Sequence, residues 1–219
     1  MATDEKQDKT PDVKAQTKSE TATEQEFARV ANAGPEVVEG ALAAARRAFP
    51  TWSTTSPADR ADALDRLAGA RDRPGNGVAI VATSEIGTPI RDVRAGQVDL
   101  PIRVLRSTAD IVRHYGWDVR DAAGSSIVRE ATGVVLAITP WNFPVHQIIT
   151  KLAPAIGAGC TVVLKPAEDT SLTALRLAEL LLEAGVPAGV VNVVTGYGEV
   201  VGAALAAHRA VDKVAFTGS

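Results

Sequence analysis

The stretch GVVLAITPWNFP, residues 133–144, decides the fold. Its first half, Val134–Ile138, is a continuous apolar run, the pattern of a parallel strand covered on both faces. A helical pattern follows over about 146–157, and TVVL at 161–164 repeats the strand signal. Thr170 then stands as the cap of a helix whose expected face is Leu172, Leu175, Ala178, Leu181 and Leu182, ended by Gly185. A third strand is expected over 190–194, a helix over 199–208 and a fourth strand over 213–217. Strands joined by helices of this length form right-handed βαβ units, so the fold class is α/β with a parallel sheet. Ligands of such sheets bind beyond the C-terminal strand ends. Residues 139–142, 165–168, 195–198 and 218–219 are therefore expected along one rim.

Upstream, residues 27–123 read as a helical part preceding the parallel α/β part, 124–219. Gly34-Pro35 opens a run in which Val37, Val38, Ala41, Leu42, Ala45 and Phe49 recur at helical spacing. Ser56-Pro57 marks a second start: a hydroxyl cap, then proline at the first helical position, where its missing N–H costs nothing. RPGNG at 73–77 must interrupt that helix. Helical pattern resumes over 77–86 and again, after Gly87-Thr88-Pro89, as far as Tyr115. Residues 1–26 carry seven acids and four lysines with almost nothing to bury. Such a stretch cannot offset its ordering entropy, and a disordered polar tail is expected.

The whole chain has 219 residues, 46% hydrophobic and 22% charged, with a formal net charge of −3 and a mean hydropathy of +0.05. That is the composition of a soluble globular protein. With 23 basic against 26 acidic residues it lacks the basic face that nucleic acid requires. No apolar run approaches the ~20 residues of a membrane span, and no signal-peptide layout opens the chain. The expected compartment is the cytoplasm, with neither nucleic acid nor membrane as partner. Cys160 is the single cysteine, so an intrachain disulfide and a cysteine-rich zinc site are excluded. His114, His146 and His208 show no ligand spacing, and no metal is expected.

Three rim segments have residues suited to chemistry. GYGEVVG at 196–202 nearly matches the dinucleotide turn GxGxxG, but its third glycine comes one residue late. It reads either as that turn or as an ordinary glycine-rich strand-to-helix connection. KPAE at 165–168 sets a cation and a carboxylate on a proline-stiffened turn. The carboxylate can accept ribose hydroxyls while the ammonium covers ribose or phosphate oxygens, or the two form a plain ion pair. In TPWNFP at 139–144 an amide stands between two large aromatics. It is either a fixed N–H donor for an oxyanion or a turn asparagine bonding its own backbone.

Taken together, TPWNFP at 139–144, KLAPAIGAGCTVVLKPAE at 151–168, LAELLLEAGVPAGVVNVVTGYG at 177–198 and VDKVAFTGS at 211–219 resemble, in order and spacing, the NAD(P)-dependent aldehyde dehydrogenase superfamily. The resemblance runs from about Pro35 to the last residue and is densest after Arg129. It implies a Rossmann-like cofactor domain that does not use GxGxxG as its pyrophosphate cradle. Carried over, Asn142 would be the side-chain donor of the oxyanion hole. Ile138, Thr139 and Trp141 would line the cofactor, NAD or alternatively NADP. Lys165 and Glu168 would hold the adenosine ribose, with Glu168 favouring NAD. Gly198 would pack near the adenine, Phe216 would line the cleft, and Gly218-Ser219 would begin the helix that meets the pyrophosphate. The family reaction has a cysteine thiolate attack an aldehyde, passes hydride to the nicotinamide and releases a carboxylic acid through a glutamate base. The resemblance also suggests a homo-oligomer. Both the nucleophilic cysteine and the glutamate base are expected in a further C-terminal half beyond Ser219. The alternative is a non-catalytic fragment, or the nucleotide-binding half of a split enzyme. No catalytic role falls on Cys160, which is expected to be a buried, inert thiol.

Overall fold

Backbone pairing reaches into the polar N-terminus. In the computed structural model, which describes residues 16–19, 26–72 and 77–218, strand β1 (Gln16–Ser19) lies antiparallel to β2 (Glu26–Val30). This corrects the expectation of disorder over 1–26 at Gln16–Ser19 and at Glu26, which lie in strands; residues 1–15 and 20–25 lie outside the described residues. A strand needs only a neighbouring backbone for its N–H and C=O groups, and β2 supplies one without an apolar side chain on β1.

The helical part follows the sequence closely. Helix α1 (Pro35–Ser53) is followed by α2 (Pro57–Asp72). Ser56 caps α2: its Oγ accepts from the Asp59 N–H at 3.1 Å and donates to Asp59 Oδ2 at 2.6 Å. The RPGNG interruption falls between α2 and α3 (Val78–Ile86), with residues 73–76 outside the described ones and Gly77 in the left-handed region at φ 78°. A short α4 (Ile90–Val93) runs through a π-helical turn, Arg94–Asp99, into α5 (Leu100–His114). A hairpin of β3 (Asp118–Arg120) and β4 (Ser126–Val128) follows on the surface, where sequence periodicity gave no strand signal.

The α/β part consists of β5 (Val134–Ile138), α6 (Pro144–Gly157), β6 (Thr161–Lys165), α7 (Ser171–Glu183), β7 (Val191–Val193), α8 (Ala203–Ala206) and β8 (Lys213–Phe216). The strands are parallel in the order β7-β6-β5-β8. The order reverses at β5, between β6 and β8, which is where a crevice opens in an α/β sheet. Alternation along β5 divides two cores. Val134 and Leu136 face α1, packing with Val38, Leu42 and Ala45; Val135 and Ala137 face α6 and α7, packing with Ile149, Leu152 and Leu177.

Helix α7 corrects two expectations. Its buried side chains are Ser171, Thr173, Ala174, Leu177, Leu180 and Leu181, whereas Leu175 and Leu182 are exposed at 36% and 59%. Six leucines in thirteen positions leave the apolar stripe undetermined by periodicity, and the direction of packing against α6 and β7 selects it. Thr170 holds the cap position, yet its hydroxyl is buried without a partner among the described residues. The N–H groups of Leu172 and Thr173 donate instead to Glu85 of α3, at 2.8 and 2.9 Å, and Thr173 Oγ1 donates to it at 2.6 Å. Helix α6 is capped the same way: the Val145 and His146 N–H groups both donate to Gln97 Oε1 at 3.1 Å. Among the described residues, no helix is long and apolar enough to cross a membrane.

Candidate functional site

Strand register puts three of the expected site residues in one row. Ile138 of β5 stands opposite Lys165 of β6 on one side and Phe216 of β8 on the other, all at the C-terminal ends of their strands. The turns that leave these strands enclose a cleft of about 940 Å³, near the upper end of the ~300–1,000 Å³ usual for ligand pockets. From β5 it is lined by Ile138, Thr139, Trp141 and Asn142; from β6 by Lys165 and Glu168; from the turn after β7 by Gly198; from β8 by Phe216 and Gly218. All nine were singled out in the sequence. Ser219 lies outside the described residues.

At one end of the cleft lies an ion pair. Lys165 is only 2% exposed, and its Nζ donates to Glu168 Oε2 at 2.9 Å. Glu168 Oε1 accepts the Gly198 N–H at 3.2 Å. Burial pushes the Glu168 carboxyl up, but the Lys165 ammonium and the Gly198 N–H outweigh it and hold the group below its ordinary range. The backbone N–H of Glu168 itself also lowers the group, so three of the roughly four acceptor positions of a carboxylate are engaged. The buried cation is neutralised within the site. That arrangement is unlike a solvated surface pair, whose net worth is small.

Asn142, which also lines the cleft, is exposed in the turn before α6. Among the described residues no hydrogen bond holds its side-chain amide, so it does not bond its own backbone. Its direction comes from the turn: the Phe143 ring lies against Gly96, where an added Cβ would sit 3.2 Å from Phe143 Cε1. Thr139 is buried, and its Oγ1 has no hydrogen-bond partner among the described residues.

The glycine turn after β7 is built for packing. Gly196 has φ 151°, and a Cβ there would meet Val201 at 2.3 Å. A π-helical turn, Gly198–Gly202, follows it. Gly198, Glu199 and Gly202 of this turn line the cleft, and the Gly198 N–H reaches Glu168.

Sequence reading passed over Lys151 and Gln147. Gln147 lines the cleft, and Lys151 Nζ donates at 2.6 Å to Thr217 Oγ1, another lining residue. Burial lowers the Lys151 ammonium below its usual range. The two are four residues apart and so share one face of α6; that spacing was the available signal. Cys160 is 4% exposed and does not line the cleft. His114 and His208 pair with surface carboxylates, and His146 is half-buried on α6.

Comparison with known proteins supplies relatives for this arrangement. The profile of the aldehyde dehydrogenase family matches residues 9–219. The chain is 43% identical over 204 residues to an aminoacetaldehyde dehydrogenase of Pseudomonas aeruginosa, covering 90% of the chain and 41% of that protein. It is 39% identical over 202 residues to the NADP/NAD-dependent aldehyde dehydrogenase PuuC of Escherichia coli, covering 90% and 41%. Among solved structures, a cysteine-to-alanine variant of aldehyde dehydrogenase C from Pseudomonas syringae, complexed with NAD+ and octanal, superposes with a TM-score of 0.88 at 42% identity, covering 91% of this chain and 41% of that one. The chain thus spans about 41% of the length of the relatives it matches.

Proposed function

The chain belongs to the aldehyde dehydrogenase family, and from that premise we propose that it is the cofactor-binding portion of an enzyme that oxidises an aldehyde to a carboxylic acid with NAD(P). The observation that carries this reading is the cleft itself, lined both by the Lys165–Glu168–Gly198 clamp and by the Asn142 amide, which no partner holds among the described residues. The residues fit the cofactor. Glu168 keeps acceptor capacity toward the ribose, and Lys165 keeps it ionised. Thr139, Trp141, Ile138 and Phe216 supply walls for the dinucleotide. Bound at this edge, the nicotinamide would supply the hydride acceptor. Asn142 would donate its N–H to the oxygen of the aldehyde as charge develops there, a contribution of roughly 10²–10³ in rate.

Glu168 makes NAD the proposed preference, because a carboxylate accepts ribose hydroxyls but repels a 2′-phosphate. The cytoplasm and a homo-oligomer are carried forward from the sequence as proposals. The competing reading is a nucleotide-binding piece that needs a second chain for chemistry. It is favoured by one observation: Cys160, the single cysteine, is buried away from the cleft.

The test is calorimetric titration of the chain with NAD. Binding by the unaltered chain, weakened at least tenfold by Lys165→Met, is expected, since a hydrogen bond to a charged group is worth about 1.5–3 kcal/mol. No binding, or equal binding by both, would remove the cofactor reading.

A further inference from the structure

We propose that Glu85, which lies outside the cleft, is the positioning residue that fixes the Glu168 carboxylate within it; the inference rests on the reading of Glu168 as the ribose acceptor. Glu85 is in the last turn of α3 and 8% exposed. Its two oxygens accept three hydrogen bonds from the first turn of α7: Leu172 N–H to Oε1 at 2.8 Å, and Thr173 N–H and Oγ1 to Oε2 at 2.9 and 2.6 Å. That turn is continuous with Glu168–Thr170, a single 3₁₀ turn. Ser171 Oγ donates back to the Glu168 carbonyl at 3.1 Å, so the turn and the helix start move as one unit. Helix α3 packs directly against the same turn.

Nothing local could replace Glu85. The residue at the cap position, Thr170, has a buried hydroxyl with no partner among the described residues. The first-turn N–H groups of a helix must find acceptors, and burying them without one is costly. Here the acceptor comes from a helix 87 residues earlier in the chain, and a carboxylate at that end also suits the helix dipole. The direction of α7, and with it the side chain of Glu168 facing Lys165 and Gly198, is therefore set from α3. The device recurs at α6, where Gln97 holds the helix that follows Asn142.

A positioning role has a signature that loss of stability lacks. Partial unfolding scales the apparent affinities for NAD and NADP equally, by the fraction of folded chain. A displaced Glu168 acts oppositely on the two, since the ribose hydroxyls lose an acceptor while the 2′-phosphate loses a repelling charge. The experiment is calorimetric titration of the 219-residue chain with NAD and with NADP, for the unaltered chain, Glu85→Ala, Glu85→Gln, Glu168→Gln and the double variant Glu85→Ala with Glu168→Gln. Glu85→Ala is expected to lower the NAD-over-NADP preference about tenfold, the size of one charge-assisted hydrogen bond misplaced. Glu85→Gln, which keeps one acceptor oxygen, shifts it less in the same direction and carries the test if the alanine variant does not fold. In the Glu168→Gln background, Glu85→Ala should change the preference no further. A preference moved by Glu168→Gln but by neither Glu85 variant overturns this inference alone, as does an equal further loss in the double variant. A chain that binds neither dinucleotide, or whose preference ignores Glu168→Gln, overturns the cofactor reading and this inference with it.

Discussion

At Glu168, burial and pairing act on the carboxyl in opposite directions. Burial favours the neutral acid, but the ammonium of Lys165 and the N–H of Gly198 favour the carboxylate more, and its proton affinity falls below the ordinary range. A group whose folded pKa is depressed contributes fully above its unfolded pKa, and that contribution is lost as pH falls through the folded value. NAD binding should accordingly hold constant through the neutral range and weaken only in acid, below the ordinary carboxylate range. Glu168→Gln should abolish that acid limb and reduce the NAD preference by about tenfold, on the scale of a charged hydrogen bond. Calorimetric titrations from neutral to acid pH check both, and an unaltered preference would show that another group selects the cofactor. The identity of the residue announced a carboxylate, while its ionisation at the site depends on Lys165 being 2% exposed behind it.

The pairing of β8 with β5 depends on two residues at the opposite end of the sheet. Gly133, just before β5, has φ 128°, and a Cβ there would lie 2.0 Å from Asp212 Oδ2. That carboxylate accepts the Val134 N–H at 2.7 Å and pairs with Arg46 of α1 at 2.8 Å. It thereby ties α1, β5 and the start of β8 together. Gly133→Ala should cost about 2 kcal/mol or more, from a backbone conformation closed to alanine and a displaced carboxylate. Asp212→Ala should cost about 1–3 kcal/mol by leaving the Val134 N–H without its acceptor. Urea unfolding measures both, and a Gly133→Ala chain as stable as the parent would mean that the turn relaxes freely. Asp212 also has its carboxyl lowered, burial opposing and Arg46 and the Val134 N–H prevailing. Its stabilisation is therefore present above the unfolded aspartate pKa and lost as pH falls through the folded value.

For the molecule as a whole, the described cleft brings together a cofactor clamp and an amide donor but no thiol. The chain by itself is expected to bind NAD without oxidising aldehydes at an enzyme-like rate, because Cys160 is buried and does not line the cleft. NAD reduction with a panel of aliphatic and aromatic aldehydes checks this, and turnover abolished by Cys160→Ser would overturn it. Edge strand β8 leaves Val214 and Phe216 exposed at 45% and 60%, beside Trp141 at 56%. An apolar rim of this kind favours association, so the chain alone should be prone to it. Turnover gained on adding a C-terminal chain would favour the two-chain reading.

The sequence by itself determined the parallel sheet and the sites of its strand ends. Those features follow from short-range causes: an unbroken apolar run at Val134–Ile138 demands cover on both faces, and proline and glycine turns fix where each strand stops. Tertiary structure decided what no local pattern encodes. Which side of α7 is buried depended on its neighbours, since leucines surround most of the helix and only packing separates Leu181 from Leu182. Pairing of β1 with β2 needed a partner backbone rather than a side-chain pattern. The caps of α6 and α7 come from Gln97 and Glu85, 48 and 87 residues upstream. A helix end must find an acceptor for its N–H groups, yet nothing in the helix's own sequence specifies that the acceptor arrives from another element.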